Sequence, residues 1–336
     1  MNNALSAFDI LFAQGPAQDS IPTVTQLRPE DISAVSDMTF PFYRPHLEQY
    51  LKGETDDSVV LIALVARDGT TPVGLIIAQL HGSKEVQEGE SAPEQFASLH
   101  SVFVVPAWRR RGVATLLTLS MEEELRKHGC DRLTTSYTTK LSAWQAFERV
   151  LAACCWSPPT AVMLMANANV CEIVKAPWLD ATREAPQGFE MFEWTQLTDS
   201  ERAQLKDEVA NGLIPGSLSP FGDEEYIESS ISVGVRHNGE VVGWMIVIRS
   251  PFVPNALCYR SQFVRPKLRT KHSLGPLLLA EALRSQAVSP NMAERPEAVF
   301  GISFEHSIKQ VNFFRKRLAP YCYKIYENRT SEKKLG

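Results

Sequence analysis

The sequence predicts a mixed α/β fold built as two tandem domains. Three observations carry that prediction. The chain has 336 residues, which at about 150 residues per domain leaves room for two. Strands and helices alternate along it, and their order returns after about 165 residues, far longer than a solenoid unit. Hydrophobic residues make up 44% and charged residues 22%, the balance of a globular protein with a sizeable core.

Residues 1–20 read as a loosely ordered arm. Thr23, Val24 and Thr25 form a short strand. Pro29, Glu30 and Asp31 open a helix, because proline suits a first turn and acids suit the positive helix end. Residues 59–66 are apolar and β-branched, hence a strand. Asp68-Gly69 turns it, and 72–80 return. After a polar loop at 83–94, residues 96–105 form another strand, which Pro106 ends. Val113, Leu116, Leu117, Leu119, Met121 and Leu125 then recur at three- and four-residue spacing, the apolar face of a helix over 112–128. Gly129 stops it. A strand at 132–137, a helix at 141–151 and a closing strand at 161–165 complete a first domain of 21–166. Residues 167–187 hold two prolines and little periodicity, and read as a linker.

From 188 to 336 the same order comes back. Residues 189–194 are a strand and 199–209 a helix. Residues 231–236 and 241–249 make a hairpin around His237-Asn238-Gly239. A strand over 257–264 ends before Pro266; a helix at 274–287, a strand at 298–303, a helix at 308–318 and a strand at 321–326 follow. Gly69 and Gly74 correspond to Gly239 and Gly243. Val104-Val105-Pro106 corresponds to Val264-Arg265-Pro266, and Phe147-Glu148-Arg149 to Phe314-Arg315-Lys316. Agreement of order and spacing makes this a duplication.

Several classes are excluded. With 34 Lys+Arg against 39 Asp+Glu the net charge is −5, so no nucleic-acid partner is expected. No apolar run of about 18 residues predicts a membrane span. The first residues lack a basic n-region, and Asp9 interrupts their apolar stretch, so no secretory signal is read. Cys130, Cys154, Cys155, Cys171, Cys258 and Cys322 form no C-x-x-C pair and no metal-ligand spacing. They predict free thiols in a reducing cytoplasm, Cys154-Cys155 as core packing, and no metal.

The chemistry concentrates in Val104-Val105-Pro106-Ala107-Trp108-Arg109-Arg110-Arg111-Gly112-Val113-Ala114. A strand ends, a basic loop follows, and a small residue opens a long helix. The first amides of a helix lack internal partners and carry the positive end of its dipole. A small residue lets an anion approach them, and three arginines add charge that pairs with phosphate. On physics alone this is a phosphate site.

Arg109-x-x-Gly112-x-Ala114, after a strand ending in Val-x-Pro and before a helix, resembles the acyl-CoA motif of the GNAT superfamily of N-acyltransferases. The order of elements resembles that family's in both halves. The resemblance implies two tandem GNAT-like domains, each a central, mostly antiparallel sheet flanked by helices. It further implies transfer of an acyl group, most simply acetyl, from acetyl-CoA or another acyl-CoA to an amine of a small molecule or peptide. Phe103, Val104 and Val105 would line the pantetheine arm. Arg109, Arg110, Arg111, Gly112, Val113, Ala114 and Thr115 would hold the pyrophosphate. Trp108 would stack on adenine or sit at the rim. The second half departs from the motif: alignment on the prolines sets His272 where Gly112 stands, and a one-residue slide recovers Gly275 but leaves Ser273 at the first glycine. Only the first half is expected to bind CoA well.

Amine attack needs a base with a pKa near working pH. The family's strand Glu is replaced here by His100, which titrates in that range, so His100 is the candidate base. The family's helix Tyr, the acid for the departing thiolate, is replaced by Phe147. Tyr137 is the candidate substitute, with Tyr321 and Tyr323 behind it, or the thiolate leaves unaided. Asp37, Phe40, Phe42, Tyr43, Arg44 and His46 fall where the family covers its acceptor. The sequence leaves open a longer acyl chain, a catalytically inactive acyl-CoA sensor or scaffold, an aminoacyl transferase, and the oligomeric state.

Overall fold

In a computed structural model the chain is described over residues 21–52, 59–81, 95–180, 184–250, 253–269, 273–305 and 308–336. The arm expected at 1–20 and the polar loop at 83–94 lie outside the described residues. Two compact units divide it: Met1–Ala161 with Arg329–Gly336, and Val162–Asn328.

The first unit contains β1 (Thr23–Gln26), helical turns from Pro29 to Met38, α1 (Arg44–Lys52), β2 (Val59–Asp68), β3 (Thr71–His81), β4 (Phe96–Val104), α2 (Val113–Lys127), β5 (Arg132–Thr138) and α3 (Trp144–Ala153). The strands lie in the order β1-β2-β3-β4-β5. All neighbours are antiparallel except β4 and β5, which run parallel. The apolar stripe of α2, with Val113, Leu117, Met121 and Leu125 buried, packs into a core with Leu75, Ile77 and Leu133.

The second unit contains β6 (Thr160–Asn169), whose first two residues precede it, then β7 (Phe189–Glu193), α4 (Asp199–Ala210), β8 (Val233–His237), β9 (Glu240–Ser250), β10 (Val253–Val264), α5 (Leu274–Val288), β11 (Glu297–Ser303) and α6 (Ile308–Arg317). Its order is β6-β11-β10-β9-β8-β7, with only β10 and β11 parallel. Successive residues of β9 alternate between two cores. Met245 and Val247 join α5, whereas Trp244 and Ile246 join Leu205 of α4.

Three expectations change. The strand read as closing the first domain pairs with β11 in the second unit, Met163 against Ser303 through Asn169 against Glu297. The segment read as a linker forms the helical turns Val170–Ile173 and Pro177–Asp180. Its Val170, Ile173, Trp178 and Leu179 are buried in the second unit's core. The last strand, β12 (Lys324–Lys334), extends well past 326, and residues 329–336 belong to the first unit. There Lys333 Nζ donates to Glu122 Oε2 (2.5 Å) and Leu335 N to Asp131 O (2.7 Å), while the Leu335 side chain is buried. Polar spelling concealed this strand; its order comes from docking.

The duplication extends to the strands' irregularities. β2 is irregular between Ala66 and Arg67, and β8 between Val235 and Arg236. Each arginine pairs with an acid from a helical segment of its own unit: Arg67 with Asp31, and Arg236 with Glu201 at 2.6 Å. A Cβ on Gly74 would meet Phe103 O at 3.0 Å, and one on Gly243 would meet Phe263 O at 2.8 Å, so both positions exclude side chains.

Candidate active site

The site begins with a defect in β4. Ser101 pairs with Ile77 and Leu99 with Ala78, leaving His100 as the extra residue of a bulge. On the other side, β4 pairs with β5 only from Phe96–Arg132 to Leu99–Thr135. Beyond that point residues 100–104 have no ladder partner on the β5 side. This opens a run of backbone donors and acceptors in the middle of a sheet, where such groups are ordinarily paired.

The opened strand leads into the basic loop. Gly112 caps α2 with φ +80°, a left-handed conformation suited to glycine, and an added Cβ there would meet no protein atom within 4 Å. The space before the first free amides of a 15-residue helix is therefore open. Arg110 is also left-handed, φ 63°. The three arginines and Gly112 are exposed, and among the described residues no ion pair engages Arg110 or Arg111.

Individual residues differ from their expected parts. Arg109 donates from Nε to Val104 O at 2.9 Å and lies over the Phe103 ring, so it clamps the loop to the strand end. Trp108 is only 4% exposed and carries the Arg111 guanidinium over its ring. It is a core anchor, neither a rim residue nor free to stack on a base. The Val104, Val105 and Val113 side chains are buried, and the Val104 and Val105 carbonyls already accept from Arg109 Nε and Trp108 N, which leaves the half-buried Phe103, Ala114 and Thr115 for a ligand.

His100 is half-buried. Its Nε2 lies 3.0 Å from Gln79 Oε1, and its ring stacks on Tyr43 with centroids 5.1 Å apart. Burial, then the nearby His81, lowers its pKa below the ordinary histidine value, so the ring is neutral near pH 7. Burial likewise raises the Tyr43 phenol. Before Tyr43 come Phe40 and Phe42, both exposed; the Phe42 ring also contacts His46, and Arg44 pairs with Asp37 at 3.0 Å.

Tyr137 is held elsewhere. Its hydroxyl donates to Glu148 Oε1 at 2.5 Å, Glu148 pairs with Arg329 at 2.9 Å, and the ring packs edge-on against Phe147. Burial and then the hydrogen bond to Glu148 raise its pKa. Its proton is committed to a carboxylate rather than offered to a leaving group. Among the described residues no hydrogen bond or ring contact joins Tyr137 to His100. Tyr321 and Tyr323 lie in the second unit, where the Tyr323 hydroxyl donates to Glu297. Gln79, Glu148 and Arg329 escaped the sequence reading, because only strand register and chain return bring them in.

The second unit repeats the frame with other side chains. β10 bulges between Tyr259 and Ser261, with Arg260 as the extra residue, and its pairing with β11 ends at Tyr259–Phe300. Arg269 donates to Val264 O at 2.7 Å, as Arg109 does to Val104. Ser273 caps α5 with φ 49°, so the slid alignment is the structural one; His272 lies outside the described residues. Arg260 pairs with Asp223 at 2.8 Å, and Ser261 donates to Leu218 O at 2.8 Å. Gln262 Nε2 reaches Gly275 O in the first turn of α5 at 2.6 Å.

Among the described residues no group of three or more His, Cys, Asp or Glu is placed to hold a metal, and no helix is long and apolar enough to cross a membrane. All six cysteines are free.

This bulged, parted strand with a glycine-capped helix lies in a recognised domain. Residues 30–152, which lie in the first unit, match the model of the acetyltransferase (GNAT) family. The fold is similar to that of a tandem GNAT protein. A tandem GNAT protein from the clavulanic acid biosynthesis pathway, determined without AcCoA, aligns with a TM-score of 0.57 at 17% identity, over 94% of this chain and 99% of its own. A GCN5-related glucosamine N-acetyltransferase region in a fungal multi-domain GH3 β-N-acetylglucosaminidase aligns with a TM-score of 0.51 at 14% identity, over 94% of this chain and 38% of that one. No curated protein matches the sequence.

Proposed function

We propose that the first unit is an N-acetyltransferase that moves the acetyl group of acetyl-CoA to a primary amine of a small molecule or peptide. The observation that carries this reading is the parting of β4 from β5 after Leu99, directly upstream of the open, glycine-capped start of α2. The diphosphate would rest on the amides at Gly112 to Thr115, with Arg110 and Arg111 as counter-charges. The pantetheine arm would pair with the backbone of residues 100–103 on the side that β5 leaves open.

His100 is the base. The amine nitrogen bonds to the thioester carbon, its proton passes to the imidazole directly or through one water, and the C–S bond breaks with its electron pair leaving on sulfur. The released thiolate takes a proton from solvent, since Tyr137 is engaged by Glu148. Free thiol release from acetyl-CoA, measured across a panel of amines, tests the reading. It fails if no amine accelerates release while the protein binds CoA. That outcome would favour an acyl-CoA sensor, the reading supported by Phe147 standing where the family's acid is expected.

A further inference from the structure

The hydrogen bond to His100 carries information about which ring nitrogen works. Gln79 faces His100 through Oε1, which can only accept; in that orientation the Nε2 of His100, 3.0 Å away, carries the proton of the neutral ring. That leaves the lone pair on Nδ1, turned away from this bond. The bulge takes His100 out of the β3–β4 register, and the stacked Tyr43 ring covers one of its faces. A half-turn of the ring about Cβ–Cγ would put Cε1 where Nε2 stands and lose the bond to Gln79.

We propose that Gln79 is a positioning residue, which fixes the His100 proton on Nε2 and so makes Nδ1 the atom that receives the proton from the acceptor amine. This rests on the assignment of His100 as the base. Choice of an amide over a carboxylate matters here. A glutamate at 79 would hold the imidazolium and disable the base at neutral pH, whereas an amide orients the ring without charging it. The titratable groups facing His100 are His81 from β3 and Tyr43 from the turn before α1. Neither supplies a negative charge at neutral pH that would oppose this arrangement. His81 is itself tied to Ser98 Oγ at 2.9 Å and stacked on Phe96, so it is not a competing partner for Gln79.

The test uses the full-length protein. Nitrogen-15 spectra of the histidine rings, with His100 assigned by comparison with His100→Ala, report the tautomer independently of turnover. Wild-type His100 is expected as a single Nε2–H tautomer. Gln79→Leu mixes the tautomers and lowers kcat about tenfold with KM for acetyl-CoA unchanged, a part of the roughly 100-fold or more that a positioned base supplies. The nearly isosteric Gln79→Glu keeps the tautomer but moves the acid limb of the kcat/KM profile up by about one pH unit. A single unchanged tautomer in Gln79→Leu, or an unmoved profile in Gln79→Glu, overturns the proposal. A His100→Ala enzyme with full turnover would instead remove the proposed base, and would leave the wild-type tautomer result standing.

Discussion

The two units share a backbone device and differ in what stands on it. Both bulge at one residue of the central strand, both part from the next strand just beyond, and both clamp the following loop with an arginine on the strand's last carbonyl. In the first unit the bulged residue is a neutral histidine held by an amide. In the second it is Arg260, paired to Asp223 and flanked by Ser261 bonded to Leu218. An arginine never gives up its proton at working pH, so the second frame has no base at this position. The repeated scaffold thus keeps geometry that backbone packing enforces, while a few side chains on it differ in chemistry.

Four measurements break or sharpen that contrast. His100→Ala should lower kcat/KM by about 100-fold, the lower bound for losing a positioned base, while Arg260→Ala at the matching bulge stays within about twofold; equal losses would erase the distinction. The acid–arginine pair is the second test. Arg236 bonds Glu201 and holds its carboxyl down to about 2 from 4.5. A carboxyl depressed in the folded state stabilises above its unfolded pKa and loses that contribution as pH falls from 4.5 towards 2. Glu201→Gln should therefore cost about 2 kcal/mol at pH 7 in denaturant unfolding, with a flatter loss of stability in acid.

Next come the helix caps. Gly112→Ala puts a side chain into a left-handed position and costs about 1 kcal/mol. It should also raise KM for acetyl-CoA several-fold with kcat spared. Ser273→Gly, at the equivalent left-handed cap, should stabilise the protein by about 1 kcal/mol; a destabilised variant would mean the serine side chain is used. The smallest effect is in the wild-type pH profile. Because burial depresses His100, kcat/KM should hold level below the ordinary value of 6.5 before it falls. A limb above 6.5 would place a carboxylate against the ring.

Much of this was legible in the spelling. Spacing of Val113, Leu117, Met121 and Leu125 specified α2, Asp68-Gly69 and Asn238-Gly239 specified the hairpins, and Gly112 marked the left-handed cap. What stayed hidden depends on partners distant in sequence. A glutamine in a strand says nothing until register brings it opposite a bulge. Trp108 beside three arginines reads as surface, yet it is buried because the loop folds its ring under the strand end. Residues 329–334 are too polar to read as a strand alone. They become one because Glu122, buried on α2, receives Lys333 and the Trp156 indole.

That last segment governs the order of assembly. The first unit is translated early, but it lacks its Arg329–Gly336 piece until everything between has been made. On the ribosome, Glu122 would wait without its ammonium partner through the synthesis of the whole second unit. A gene cut anywhere in 167–187 would separate the early unit from the piece that finishes it. Bisecting the chain is therefore a poor way to ask what either half does, and splitting it between β11 and α6 would be no better.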